Sequence, residues 1–522
     1  MNKNNLPIYL SIAVVFGILI GVFFNGNSSS EFSFVGKSPN EIKIKRLIDY
    51  IQRDYVDTVN TDGLLDDAIT QMLGKLDPHS VYIPKENLQA VTESMQGNFV
   101  GIGVQFRMIN DSITVVQTIK GGPSIKAGIK AGDRILAANK DTLFGKKMRS
   151  GQVPSYLKGK PKTKVVLQVY RKTNDSLFTI DIIRGKVNIK SVDLAYMIND
   201  SVGYIKLDRF AMNTYSEFKT SLDNLLEKGM TDLVLDLRGN GGGFIEIANR
   251  IVDEFLEDDK LIVFTKNNKG KINKSFATEK GNFEKGGLYV LIDENSASAS
   301  EIVAGALQDN DKGIIIGRRS FGKGLVQEEM DLGDGSAVRL TTARYYTPTG
   351  RSIQKPYSGN GNDNYYADYQ QRINSGELTN KDSIPIIDSL QYNTPKGKIV
   401  YGGGGIIPDV FVPIDTTSLM SNFYFRSITN FAFDYVDSNR KELSNTWNLD
   451  SFIANFDKNE TVFNQYYKEI KEYKPSFKTQ KNIQKYLKAT IANELFGDVG
   501  FYRIIHQDDA MLQKVLELES NN

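Results

Sequence analysis

The chain has 522 residues, of which 40% are hydrophobic and 24% charged, with a formal net charge of +2. That is an ordinary globular composition, long enough for about three or four domains, and its near balance of charge gives no electrostatic reason to expect nucleic acid or an acidic substrate. It has no cysteine and only two histidines, His79 and His506, which excludes a thiol nucleophile, disulfide staples and Cys-ligated zinc, and leaves a Ser-His-Asp triad few ways to form.

Taken in chain order, Leu6 to Phe24 is a nearly unbroken apolar run of 19 residues, a length that can span a bilayer. Lys3 precedes it and no Lys or Arg occurs from Asn25 to Gly36. The positive-inside rule then expects an N-terminal transmembrane helix with the N-terminus in the cytoplasm. The bulk of the chain would lie outside the cytoplasm, most simply in a bacterial periplasm, held at the inner membrane. The alternative is a cleaved signal peptide, but no clean Ala-x-Ala site follows. Residues 1–36 are therefore expected to be anchor and linker. Residues 37–95 read as helices, with one amphipathic stripe through Ile42, Leu47, Ile48, Ile51 and Tyr55 and a second through Leu64, Ala68, Ile69, Met72 and Leu73. Asp77-Pro78 ends the second, because the residue before proline is pushed out of the α region. His79, just after it, reads as a structural turn residue.

Residues 96–186 open on Phe99-Val-Gly-Ile-Gly-Val-Gln-Phe106, a glycine-containing loop feeding a strand. Gly121-Gly-Pro123, Ala131-Gly-Asp-Arg-Ile135 and the strand-like runs Val165 to Tyr170 and Phe178 to Ile183 follow. The ordered set resembles a PDZ domain, which implies that backbone N–H groups around Val100, Gly101, Ile102 and Gly103 cradle a terminal carboxylate while the peptide adds as a β-strand. The bland alternative is a PDZ-like module that only packs.

Residues 187–415 read as an α/β domain. Val202 to Leu207 is a strand and Tyr215 to Leu226 a helix. Thr231-Asp-Leu-Val-Leu-Asp-Leu-Arg-Gly-Asn-Gly-Gly-Gly243 is an apolar strand ending in a glycine loop. It is no Walker A loop, since Phe244-Ile-Glu follows where Gly-Lys-Ser/Thr is needed, and it does not fit G-x-G-x-x-G. An oxyanion loop of bare N–H groups remains, with Asp236 and Arg238 beside it as structural ion partners. Leu288 to Ile292 is a second apolar strand. After a turn it enters a helix of small residues with Ile302, Val303, Ala306 and Leu307 on one face. Ser296, Ser298 and Ser300 sit at that junction, where a hydroxyl is either an N-cap or a nucleophile above the sheet. Lys323 lies between Gly322 and Gly324. The run after it reads as a strand, placing Lys323, Leu325 and Gln327 on one face, so that Gln327 can hold the lysine amine. A buried lysine can replace histidine as base when burial lowers its pKa.

Ser296-Ala-Ser-Ala-Ser-Glu301, Phe321-Gly-Lys-Gly324 and Gln327 together resemble the carboxy-terminal processing, or tail-specific, serine peptidases. The likeness covers roughly residues 40 to 415 and includes Tyr401-Gly-Gly-Gly-Gly-Ile-Ile-Pro-Asp-Val410. It implies a multidomain chain with a crotonase-like α/β peptidase core. It implies Ser298 as nucleophile, Lys323 as general base and Gln327 as its orienter. Gly242, with Gly243 as the close alternative, and Ala299 would supply the oxyanion donors. It also implies capture of protein substrates by their C-terminal tails, no metal or other cofactor, and a possible homodimer. Two rivals stay open: a catalytically idle PDZ tail-binding scaffold, and acyl-thioester chemistry on the same fold. Residues 357–383 read as a surface insertion without chemistry, and residues 416–522 as a helical extension that packs on the core or on a second subunit.

Overall fold

The structure, a computed structural model, describes residues 38–357, 365, 367–416, 420–458, 460–470 and 475–521. It divides into two units, residues 1–69 and 70–522. In the first, Ser38 and Glu41 cap the helix Pro39–Asp54 reciprocally, and Pro39 occupies its first turn, where a missing N–H is no loss. The second helix, Thr61–Gly74, runs across the division.

The membrane-spanning helix expected over residues 6–24 is corrected. That stretch lies outside the described residues, and among the described residues no helix is long and apolar enough to cross a membrane. The two longest, Asn422–Thr446 and Phe477–Phe496, carry Arg426, Asp434, Asp437, Arg440, Lys481, Lys485 and Lys488 along their length, the pattern of helices with one solvated face. Among the described residues the fold class therefore stands without a transmembrane helix. Among the described residues nothing carries the expected inner-membrane partner or membrane-anchored location, and neither is taken further.

The larger unit is built on two sheets drawn mostly from residues 190 to 415, with Val81–Ile83 joining the second. The central sheet has six strands in the order Val192–Met197, Val202–Leu207, Asp232–Asp236, Gly287–Ile292, Ile314–Gly317, Val410–Phe411. Its first pair is antiparallel and the rest are parallel. Strands buried on both faces read as continuous apolar runs, and Leu233, Val234 and Leu235, then Leu288 to Ile292, are all buried. The helices Thr214–Leu226, Ile245–Asp253 and Ala299–Asp309 cover one face, through Phe218, Leu222, Ile247, Ile251, Val303 and Leu307. A second, antiparallel sheet runs Val81–Ile83, Ala337–Tyr346, Leu261–Asn267, Ile272–Phe276, with Leu325–Asp331 also paired to Ala337–Tyr346.

The helix Ala299–Asp309 is buried along its whole length, and its C-terminal end is fixed by a buried ion pair. Arg351 lies 2.7 Å from Asp309 with neither side chain exposed, and it also donates to Gln308 and to the Tyr401 carbonyl. Removing one partner of such a pair strands the other charge. Arg351→Met is therefore expected to destabilise the protein by about 3–5 kcal/mol, read as a lowered urea midpoint with unchanged slope.

A five-strand path, Val104–Ile109, Ser112–Thr118, Asp133–Ala138, Lys164–Arg171, Ser176–Ile183, forms a separate antiparallel sheet with its own core of Ile113, Val115, Ile135, Leu167 and Val169. The chain enters and leaves this module through one ribbon, Asn98–Gly101 paired with Gly185–Asn188. Beyond residue 420 the chain is helical among the described residues. Asn422–Thr446 and Phe477–Phe496 share a core of Phe431, Val436, Leu487 and Ile491, and the last helix, Ala510–Ser520, lays Met511, Leu512 and Val515 against the open face of the central sheet.

Candidate active site

Three neighbouring parallel strands end on the same side of the central sheet, and each delivers one part of the site. Asp232–Asp236 leads to the glycine loop, Gly287–Ile292 to the serines, and Ile314–Gly317 to Lys323. Open parallel sheets bind ligands beyond the carboxyl ends of their strands for this reason. A cavity of about 500 Å³ there is lined by Ser298, Lys323, Gln327, Gly242 and Gly243, with Arg339 and Tyr345 from the second sheet and Thr92 and Gln96 from the helix Lys85–Gln96.

The three serines are not equivalent. The Ser296 hydroxyl is buried and donates to the Leu237 carbonyl at 2.8 Å. The Ser300 hydroxyl is buried and donates to the Asn240 carbonyl at 2.8 Å. Both tie the helix start to the glycine loop. Ser298 alone of the three lines the cavity. Its backbone has φ 57° and ψ −114°, a region that non-glycine residues adopt only when the surroundings impose it.

What imposes it is Glu301. This carboxylate, fully buried, accepts from the Ser298 N–H at 2.8 Å, the Ser320 hydroxyl at 2.5 Å, the Gly322 N–H at 2.7 Å and the Lys323 N–H at 2.8 Å. Burial pushes its pKa up, and these four donors work in the opposite direction. Tyr345 adds a second tie: its hydroxyl is 2.7 Å from the Lys323 carbonyl and 3.1 Å from the Ser298 carbonyl. The serine and lysine loops are thus fastened through their backbones, which leaves both side chains for the cavity. The sequence carried a signal for Glu301, a carboxylate inside an otherwise small and apolar buried helix, but none for Tyr345, which arrives from another sheet.

Lys323 has its pKa lowered to about 8, first by burial and then by the positive charge of Arg339, with Glu301 and Asp77 pulling the other way. His79 is held as a turn residue: Asp77 accepts its N–H at 2.8 Å, and its Nε2 sits 2.8 Å from the Tyr365 hydroxyl. Burial, then the nearby Lys323, lowers its pKa to about 4.

Gln327 differs from its expected setting. The strand begins only at Leu325, so strand alternation does not reach back to Lys323, and the register shift beside Gln327 leaves Thr342 of the partner strand as the extra residue. Gln327 still reaches the same cavity, and its Nε2 is a buried donor without a partner.

At the glycine loop, Asn240 accepts the Gly242 N–H on its side-chain oxygen at 2.8 Å. The free N–H expected of Gly242 is therefore an occupied donor. What Gly242 supplies is space: a Cβ there would meet the Ala297 carbonyl oxygen at 2.7 Å, the Ser298 Cβ at 2.8 Å and the Ala299 nitrogen at 2.9 Å. Gly243 lies between a carbonyl and an N–H that both bond Phe210, and its own N–H stands outside those bonds. Ala299, fully buried, is the first residue of its helix, so its N–H has no acceptor within that helix. Asp236 and Arg238 lie outside the cavity as a buried ion pair. Burial opposes the Asp236 charge, but Arg238 and Lys206 hold its carboxyl well below the usual range.

The segment 357–383, expected to be a surface insertion, does structural work at the site. Arg372 is buried and donates to the carbonyls of Arg319 and Ser320, and Arg319 pairs with Glu377 at 2.7 Å. This clasp holds the loop leading to Lys323 from behind. Its Asn- and Gly-rich composition concealed it, because the partners are far away in sequence.

The four residues expected at the PDZ peptide site lie apart from the cavity. Val100 and Gly101 belong to the entry ribbon, paired with Lys186 and Gly185. Ile102 is buried, and Gly103 has φ 79°, a turn that favours glycine. Val100 lines a groove of about 490 Å³ with Phe99 and Leu88, and this groove shares Thr92 and Gln96 with the cavity at Ser298. Among the described residues no group of His, Asp or Glu is placed to hold a metal ion.

A parallel sheet that presents a serine and a buried lysine at one cavity, joined to a small β-module by a ribbon, defines a serine endopeptidase with a substrate-binding domain. Residues 201–360 match Peptidase family S41, residues 100–182 match the PDZ domain, and residues 423–497 match a family of unknown function, DUF8443. The chain is 37% identical over 313 residues to a carboxy-terminal-processing protease of Bartonella bacilliformis, covering 59% of this chain and 71% of that one. It is 33% identical over 346 residues to a probable CtpA-like serine protease of Staphylococcus aureus, covering 66% and 67%. Among solved structures it resembles a photosystem II D1 C-terminal processing protease at 27% identity and a TM-score of 0.37, covering 73% of this chain and 88% of that one. The chain belongs to peptidase family S41, the carboxy-terminal-processing serine endopeptidases with a PDZ domain.

Proposed function

We propose that Ser298 and Lys323 form the catalytic dyad, with the N–H groups of Ala299 and Gly243 as the oxyanion donors. The Ser298 Oγ attacks the scissile carbonyl carbon while neutral Lys323 takes its proton. The carbonyl oxygen, now negative, is held by the two N–H groups. The tetrahedral intermediate collapses, the C–N bond breaks, and Lys323 returns the proton to the leaving amine. Water then attacks the acyl ester, again losing its proton to Lys323, and Ser298 is regenerated. Gln327 is assigned to hold the lysine amine. Its two amide ends differ by a half-turn of the side chain, so the buried atom facing the site can be an acceptor for Lys323. The residues Val100 to Gly103 are assigned to the tail carboxylate, and the domains to residues 37–95, 96–186, 187–415 and 416–522.

The observation that carries this reading is the lowered pKa of Lys323, about 8, in a cavity it shares with Ser298. A base must be neutral to act, and at pH 7 roughly a tenth of a group with that pKa is neutral. Raising the pH deprotonates it, so kcat/KM on a peptide substrate is expected to rise about tenfold per pH unit below 8 and to level off above. Lys323→Arg, which cannot deprotonate in this range, removes the activity at every pH. A profile already flat from pH 5 upward would point to a base titrating near 4, as His79 does, and would sink the dyad.

A further inference from the structure

The PDZ module is joined to the rest of the chain by a single two-stranded ribbon, Asn98–Gly101 with Gly185–Asn188. Two strands leaving side by side act as a hinge, so the orientation of the module is set by non-covalent contacts. One such contact is the pair Lys158–Glu93, on the helix Lys85–Gln96. The others converge on the C-terminal helices, to which no role has been given. Arg134 forms a two-pronged pair with Asp437 at 2.9 and 2.7 Å. Lys172 reaches the same carboxylate at 3.0 Å. Arg107, on the edge strand Val104–Ile109, pairs with Glu494 at 3.0 Å. Three cations of the PDZ module thus meet two carboxylates from the helices Asn422–Thr446 and Phe477–Phe496, and both carboxylate side chains are almost wholly buried.

The same helical region is fastened to the peptidase core at its other end. Asp509 pairs with Arg238 at 2.7 Å, His506 Nδ1 lies 2.8 Å from the Tyr196 hydroxyl, and Met511, Leu512 and Val515 pack on the central sheet. We propose that residues 422–520 are a brace that spans from core to PDZ module and fixes the module's orientation for substrate delivery, with Asp437 as its main positioning residue. The joint is not fully satisfied: Arg440 Nε and Nη2 and one oxygen of Glu494 are buried without partners. A partly matched polar interface separates at less cost than a fully matched one, so the brace holds the module without welding it.

The inference rests on the PDZ module being the substrate-binding part, and its test separates the two. The chain has no cysteine, so spin labels attach cleanly at Lys140→Cys in the module and Lys228→Cys in the core, both exposed. In the full chain the label-to-label distance is expected to be a single narrow distribution, and Asp437→Asn is expected to broaden it. Arg134→Gln is expected to broaden it too, and the double variant no further than Asp437→Asn alone, since that change already removes the Arg134 contact along with that of Lys172. For a protein substrate with a free C-terminal tail, Asp437→Asn is expected to raise KM by about fivefold or more. Turnover of a short peptide that does not reach the module stays unchanged. An unchanged distance distribution, or an equal loss on both substrates, overturns the brace. If Asp437→Asn does not fold, Arg107→Gln at the more exposed pair decides, by broadening or not broadening the same distribution. The distance readout needs no catalysis, so it holds even if the dyad assignment fails.

Discussion

Ser298→Ala is expected to lower kcat/KM by on the order of 10⁴- to 10⁶-fold while leaving the protein folded. The size of the effect follows from what remains. The flanking hydroxyls cannot take over, because Ser296 and Ser300 are buried and already donate to the carbonyls of Leu237 and Asn240. Lys323 would have no oxygen nucleophile of the protein to activate, and only the two N–H groups and substrate binding would still favour the transition state. The flanking serines provide the contrast. Ser300→Ala removes a tie between helix and glycine loop, so it is expected to lower the melting temperature and leave a reactive Ser298 behind. Labelling by a serine-directed fluorophosphonate reads this directly: Ser300→Ala labels and Ser298→Ala does not. Substantial turnover by Ser298→Ala would remove it from the mechanism.

Gly242→Ala is expected to cost about 10²- to 10³-fold in kcat, comparable to losing an oxyanion donor outright. The added methyl would lie 2.8 Å from the Ser298 Cβ and 2.9 Å from the Ala299 nitrogen, so Ser298 and the first helix N–H must both shift. The backbone there also has φ +100°, which an alanine resists. The neighbouring Gly241 is the control: it lines the same cavity, but a Cβ there would meet nothing within 4 Å. Gly241→Ala is expected to stay within a few-fold of the unsubstituted enzyme, because the added methyl displaces neither Ser298 nor Ala299. Equal activity of the two variants would show that close packing at Gly242 is not what shapes the site.

The parts of the site that were legible in the sequence are those written in consecutive residues. An apolar strand ending in Gly239-Asn-Gly-Gly-Gly243, or one ending in serines before a small-residue helix, has a local physical reading, and the structure brings both loops to one cavity with Lys323. What escaped is what depends on contacts between distant segments. Asn240 occupies the Gly242 N–H, Glu301 gathers four donors from two loops, and Tyr345 bridges two carbonyls from a separate sheet. No spacing rule announces these. The strand starting only at Leu325, two residues after Lys323, cut short the expected alternation to Gln327. The segment 357–383 misled by composition: Arg372 and Glu377 sit among loop-forming residues yet are buried. The apolar run 6–24 was read from its length and flanking charges; it lies outside the described residues, and the described helices contain no membrane span.

The cavity draws on residues from Thr92 to Tyr345, with the whole PDZ module inserted between its first wall and its glycine loop. This has a consequence for how the enzyme is born. The strand Val81–Ile83 pairs with Ala337–Arg339, so the second sheet closes only after the intervening chain exists and has folded. Loop closure over such distances is slow compared with local helix and hairpin formation. Ser298 and Lys323 are only 25 residues apart in sequence, yet the burial and the Arg339 charge that lower the lysine pKa are complete only once the second sheet has formed. A half-made copy of this enzyme is therefore expected to be inert.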